Sequence, residues 1–250
     1  GRAVNEEVTA GLTARLAQLE LRLATLEDRL RHAGDKVGPD GRPLIDPLAL
    51  ALADIAALHW NTKTLGSALA RRLYLETEAR LPMPAEPQRI GLNTRICRQN
   101  DIEQPWLRHW CQRLEMQPIY HRKVWEDCFV VQALWEAGHL EPGRSGLGFA
   151  VGAEPLPSLF VSLGARVLAT DLDFEDQRSA AWQSTGQHTG GRLADLHRPG
   201  IVDLDRFGAM CDLRSVDMNA IPEDLFGQFD FCWSVCSAEH LGSIEHGLRF

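Results

Sequence analysis

No apolar run in the chain approaches the ~20 residues that a bilayer-spanning helix needs, and no charged-then-apolar leader opens it. There is no basic excess either. Lys and Arg number 26 against 34 Asp and Glu, a net charge of −8. The chain therefore offers no general positive field for nucleic acid or an anionic membrane. Cysteine is sparse: Cys97, Cys111, Cys128, Cys211, Cys232 and Cys236 are scattered through apolar or helical contexts. A 250-residue chain needs no disulfide staples, so reduced thiols in a cytoplasmic protein are expected. Cys232 and Cys236 stand four apart, but no second Cys/His pair completes a zinc site. No metal is expected, and both thiols read as strand-packed. What is present is ordinary for a globular chain, 44% apolar and 24% charged.

Residues 5–33 carry leucines with alternating spacings of four and three. Leu16, Leu23 and Leu30 fall at a and Leu12, Leu19 and Leu26 at d. Arg15 and Arg22 at g then face Glu20 and Glu27 at e of a parallel partner. A coiled coil over 1–35 that builds a homo-oligomer is expected, with dimer and trimer both open. Glycines and prolines from Gly34 to Pro47 read as a linker, followed by a helix to about residue 80. LPMPAEP then marks a boundary near residue 82. The domains read as 1–35, 36–82 and 83–250.

From 101 to 138, Trp106, Trp110, Leu114, Val124, Cys128, Val131, Leu134 and Trp135 have helical spacing, broken by Pro118. After Gly138 the pattern alternates. GLGFAVG reads as strand, LPSLFVSLG as helix, ARVLATD as strand, LRSVDM (213–218) as strand, FDFCWSVCS (229–237) as strand, and AEHLGSIEHGLRF as a further helix. That alternation predicts an α/β fold with a Rossmann-like, doubly wound parallel sheet. Ligands sit at the carboxyl ends of such strands. Those ends supply Val151, Gly152 and Ala153, then Asp171 and Leu172, then Asp217 and Met218, then Ser234, Val235 and Cys236, with Glu239 and His240 beyond. An acid about 20 residues after the glycine turn suits ribose hydroxyls, and Asp217 suits an adenine amino group.

The turn AVGAEPLP sets Ala150, Gly152 and Glu154 at the positions where a dinucleotide loop has glycines. An anionic Glu154 at the helix start would repel a pyrophosphate and compete for its amide donors. A sulfonium and an ammonium would be favoured there. The residues thus argue for S-adenosyl-L-methionine over NAD. An NAD-type oxidoreductase or epimerase, and a non-catalytic oligomeric module, are the alternatives.

GLGFAVGAEPLPSLFVSLGARVLATDLD and SVDMNAIPEDLFGQFDFCWSVCSAEHLGS together resemble a class I S-adenosylmethionine-dependent methyltransferase of the broad bacterial kind, over about 110 residues. The resemblance implies that Gly152 and its neighbours line the methionine part, Asp171 the ribose, Asp217 and Met218 the adenine, and Ser234 to Cys236 the donor end. The family fold has seven strands and about four are visible. With Gly1 in place of Met and Phe250 inside a helical pattern, the chain reads as a fragment of a longer one. His240 is the expected base, by its resting pKa, with Glu239 second. HRKVWED, with His121, Lys123, Trp125 and Glu126, lies where related enzymes place a lid. WED ahead of GLGFAVGAE resembles methyltransferases of bacterial surface-polysaccharide systems, which implies a sugar hydroxyl as acceptor.

Overall fold

The computed structural model describes residues 47–78, 80–81 and 86–250. The expected coiled coil and the linker up to residue 46 lie outside the described residues. Helix α1 spans Pro47–Glu78. Ile55, Leu58, Leu65 and Leu69 on it are exposed, whereas Tyr74 is fully buried, its ring 5.5 Å from that of Tyr120. Residues 68–250 form one compact unit. Among the described residues no helix is long and apolar enough to cross a membrane.

Three helices lead into the sheet: α2 (Gln99–Ile102), α3 (Pro105–Arg113) and α4 (Arg122–Glu136). Pro105 sits in the first turn of α3, where its missing N–H costs nothing. Trp106, Leu107, Trp110 and Leu114 bury against Val124, Cys128 and Val131 of α4, as the helical spacing predicts. The Cys111 and Cys128 thiols lie 3.5 Å apart inside this layer. All six cysteines are free.

The sheet has four strands: β1 (Ser145–Phe149), β2 (Arg166–Asp171), β3 (Cys211–Ser215) and β4 (Phe231–Ser234). All pairings are parallel, in the order β3-β2-β1-β4. The chain is thus an α/β protein with β1 and β2 central. Helix α5 (Leu156–Ser162) joins β1 to β2. A short helix α6 (Ala180–Ser184) and α7 (Leu204–Met210) lie between β2 and β3. Asp203 caps α7 by accepting from the Arg206 amide at 2.8 Å.

β3 lies upstream of the expected 213–218, and β4 is shorter than the expected 229–237. Before β4 the Asp230 amide donates to the Ser145 carbonyl at 2.9 Å, while the Asp230 carboxylate accepts from the Ser145 amide (2.7 Å) and hydroxyl (2.9 Å), so side-chain bonds close off the pairing there. After it, Cys236 takes φ 55°, which ends extended backbone. The helix expected from Ala238 is split at Gly242 (φ 96°), leaving a 3-10 turn, Ala238–His240, and α8 (Ile244–Arg249).

Strand alternation separates two faces. Val167, Ala169, Phe231 and Trp233 join the large core with α3, α4 and α5. Leu147 and Phe149 face the other way, into a small cluster with Val216, Met218, Leu225 and Leu241. Cys232 falls on that second face and is exposed, so the expectation of two strand-packed thiols is corrected for it. On the large face β1 carries only Gly146 and Gly148. A Cβ on Gly148 would come 2.3 Å from the Trp233 indole and 2.5 Å from Val151.

The overpacked variant Gly148→Ala should therefore lose about 1–3 kcal/mol of stability. Urea unfolding checks this. A change below about 0.5 kcal/mol would mean that Trp233 moves aside freely.

Candidate functional site

A cavity of about 510 Å³ opens at the carboxyl ends of the strands. Every residue singled out from the sequence as a site residue lines it except Ser234. Ser234 is corrected to a structural role. Its hydroxyl donates to the Phe149 carbonyl at 3.2 Å and meets Ser237, which ties β4 to the end of β1.

The β1–α5 turn makes the floor. Ala150 (φ 49°) and Gly152 (φ 52°) are both left-handed, the conformation for which glycine is the default residue. At Gly152 a side chain is excluded outright, because a Cβ would lie 2.3 Å from the Gln187 carbonyl oxygen. Val151 continues the strand register by donating to the Thr170 carbonyl at 3.0 Å. Arg198 braces the turn from behind by donating to the Ala153 carbonyl.

Glu154 does not behave as its sequence position predicts. Its carboxylate makes no bond to the α5 amides; Trp233 Nε1 donates to it at 2.6 Å. Burial pushes its pKa well above the usual carboxylate range, and Asp127 and Asp171 push the same way. The expected free anion at a helix start is therefore corrected. Glu154 is a half-buried acid held by an indole, disposed to carry a proton until a cation reaches it.

Asp127, on α4, is a site residue that the sequence did not reveal. It is buried (5% exposed) yet lines the cavity. Burial raises its pKa to about 7, against a lowering by Lys123. No hydrogen-bond donor among the described residues reaches it. In HRKVWED the position looks like one more helix charge; only the packing of α4 against the turn distinguishes it. Trp125 in the same stretch is core, its ring 4.6 Å from Phe129.

Asp171 ends β2 and is buried. Its Oδ1 accepts from the Leu172 amide at 2.8 Å and its Oδ2 from the Thr189 amide at 3.3 Å. Burial raises its pKa, opposed by His188 and by these amides. His188 Nε2 lies 2.8 Å from the Leu172 carbonyl, and its Nδ1 accepts from the Gly190 amide.

Asp217 is engaged on both oxygens. Oδ1 accepts from the Asn219 amide and Oδ2 from Arg178, each at 2.9 Å. Although burial raises its pKa, these partners hold it below the ordinary value. Arg178 belongs to residues 174–191, a stretch with no periodic pattern that forms one wall. Besides the bonds of Thr189 and His188 to Asp171 and Leu172, the wall makes contacts of Arg178 on Asp217, Lys123 on Gln187 (3.4 Å), and Trp182 on the His240 ring (5.2 Å between centroids). Glu239 and His240, the expected proton acceptors, sit exposed at the rim, with Glu239 3.7 Å from Arg122. Cys236 donates to Glu126, and burial and that bond push its thiol up to about 12, so it is no nucleophile at neutral pH.

Asp127 also yields a stability prediction. Its folded-state pKa is raised from 3.8 to about 7. Its contribution is therefore fully present below about pH 4 and lost as the pH rises through about 7. Measured against pH, Asp127→Asn should gain on the native protein between these limits, by at most on the order of 4 kcal/mol. A difference that stays constant with pH would show that Asp127 titrates normally. Compared with protein-family models, curated proteins and solved structures, the chain matches none.

Proposed function

We propose that residues 143–250 bind S-adenosylmethionine and support methyl transfer to an oxygen or nitrogen nucleophile. The observation that carries this reading is the chemistry of the β1–α5 turn. A dinucleotide would set its pyrophosphate there, against helix amides and small residues. This chain sets two acids there instead, half-buried Glu154 from the turn and buried Asp127 from α4, with Asp171 close enough to act on Glu154. Such a wall disfavours phosphate and favours a nucleoside that carries cationic groups. The remaining residues fit the adenosine part. Asp171 keeps acceptor capacity for ribose hydroxyls at the end of β2. Leu172 and Met218 supply apolar surface for a purine, and Asp217 stands at its edge.

When bound, the donor supplies a methyl carbon already activated by its sulfonium for in-line displacement. The protein's contribution is alignment and proton removal. The acceptor's lone pair would form the new bond to the methyl carbon as the carbon–sulfur bond breaks, its electron pair leaving with sulfur as the neutral thioether S-adenosylhomocysteine, and the acceptor's proton would pass to His240 or Glu239 at the rim. Trp182, set edge-on to His240, fixes the orientation of that ring. We assign the acceptor to the open side of the cavity, and a sugar hydroxyl is the first class to try.

Calorimetry with S-adenosylhomocysteine and with NAD tests the reading. S-adenosylhomocysteine should bind and NAD should not. Asp171→Ala should weaken binding about 10- to 100-fold, the loss of hydrogen bonds to a charged group. Tight NAD binding without any response to S-adenosylhomocysteine would overturn the assignment.

A further inference from the structure

Asp127 poses a separate problem. A carboxyl group that is nine-tenths buried should have donors around it. This one has none among the described residues, yet it faces a cavity large enough for a ligand. Its charged surroundings are Lys123 and Glu126 on its own helix and Glu154 from the turn after β1, with Asp171 beyond Glu154. Lys123 lines the same cavity and acts on both acids through its charge, but its ammonium hydrogen-bonds Gln187 at 3.4 Å and not Asp127. Glu154 is held in place by the Trp233 indole and cannot swing off. Two acids thus line one cavity within electrostatic reach of each other, one with a single indole donor and one with no donor among the described residues.

We infer that Asp127 and Glu154 together form a seat for an ammonium group, with Asp127 as the acceptor that the ligand completes. The inference goes beyond the donor-binding reading. It assigns a role to a residue on α4, outside the strand-end motifs, and it names the chemical group that this residue takes. A primary ammonium carries three donors and a full charge, which is what two neighbouring acids with spare lone pairs lack. A cation on the seat makes the ionised form of both acids favourable, so its arrival expels a proton. The ammonium has two sources, the amino group of a bound adenosyl amino acid or an amine on another ligand, and the test separates them.

The full chain is titrated with S-adenosylhomocysteine, with methylthioadenosine, which lacks the amino-acid part, and with n-butylammonium against n-butanol as a neutral control. Native protein, Asp127→Asn and Glu154→Gln are compared, with a circular dichroism melt confirming that each variant folds. Calorimetry in two buffers of different ionisation enthalpy reads the proton released. For an amino group of the adenosyl ligand, Asp127→Asn should lose about 10- to 100-fold in affinity for S-adenosylhomocysteine. Its affinity for methylthioadenosine should stay within about twofold, and the proton release should fall by the share that Asp127 supplies. Native affinity should rise with pH up to about 7 and level off above it. If S-adenosylhomocysteine binding ignores Asp127 while butylammonium, and not butanol, raises the melting temperature only when Asp127 is present, the seat serves an amine of another ligand. If native protein binds no S-adenosylhomocysteine but shows that butylammonium effect, the donor reading falls and the seat stands. The seat itself is overturned if Asp127→Asn changes neither the S-adenosylhomocysteine isotherm, with its proton release, nor the butylammonium response.

Discussion

The close approach of β4 to β1 is the constraint on which the site depends. Gly146 and Gly148 remove side chains from the large face of β1, and the rings of Phe231 and Trp233 fill the vacated space. The same indole that lies against Gly148 extends its N–H to Glu154. One tryptophan therefore belongs to the core by its rings and to the cavity by its nitrogen. Aromatic residues of this kind place a polar handle at the end of an apolar body. Here the handle fixes an acid that would otherwise be expensive to bury. The glycines of β1 and of the turn after it thus act in sequence: Gly148 admits the indole, and Gly152 admits the backbone at Gln187.

Burial rather than partner charge sets the electrostatics of the cavity. Asp127, Glu154 and Asp171 all have raised pKa values, each with desolvation as the leading cause. Around the rim the acids are instead paired with arginines: Asp176 and Asp217 with Arg178, and Glu126 and Glu239 with Arg122. The interior therefore invites positive charge while the rim is already neutralised. A ligand is sorted by the group it sends inward, not by a long-range field, in keeping with a chain whose net charge is modestly negative.

The strands and the helices before them were legible because their patterns are long and strict. The tryptophans and aliphatics of 101–138 repeat at helical spacing, and ARVLATD alternates toward a single acid. The helix at Leu204–Met210 was not legible: LDRFGAM is short and buries only Phe207. The wall from 174 to 191 was missed for a related reason. Its geometry rests on turns and on contacts between residues far apart in the chain, such as Arg178 with Asp217, and no local pattern encodes those. At the site, strand ends could be read off by position, whereas Asp127 needed the packing of α4. The error on Glu154 is instructive. The sequence showed an acid at a helix start, but a neighbouring strand supplied the donor that decides its orientation.

Residues 174–191 are held to the rest of the site largely by polar tethers: an arginine–aspartate pair, the bonds of Thr189 and His188 to Asp171 and Leu172, a lysine–glutamine bond and a ring contact. Contacts of this kind open at lower free energy than a packed core does. Exchange of a ligand through this wall is then governed by how often the polar tethers release. Association would run slower than free diffusional encounter allows, and residence time would be set in part by residues that never touch the ligand.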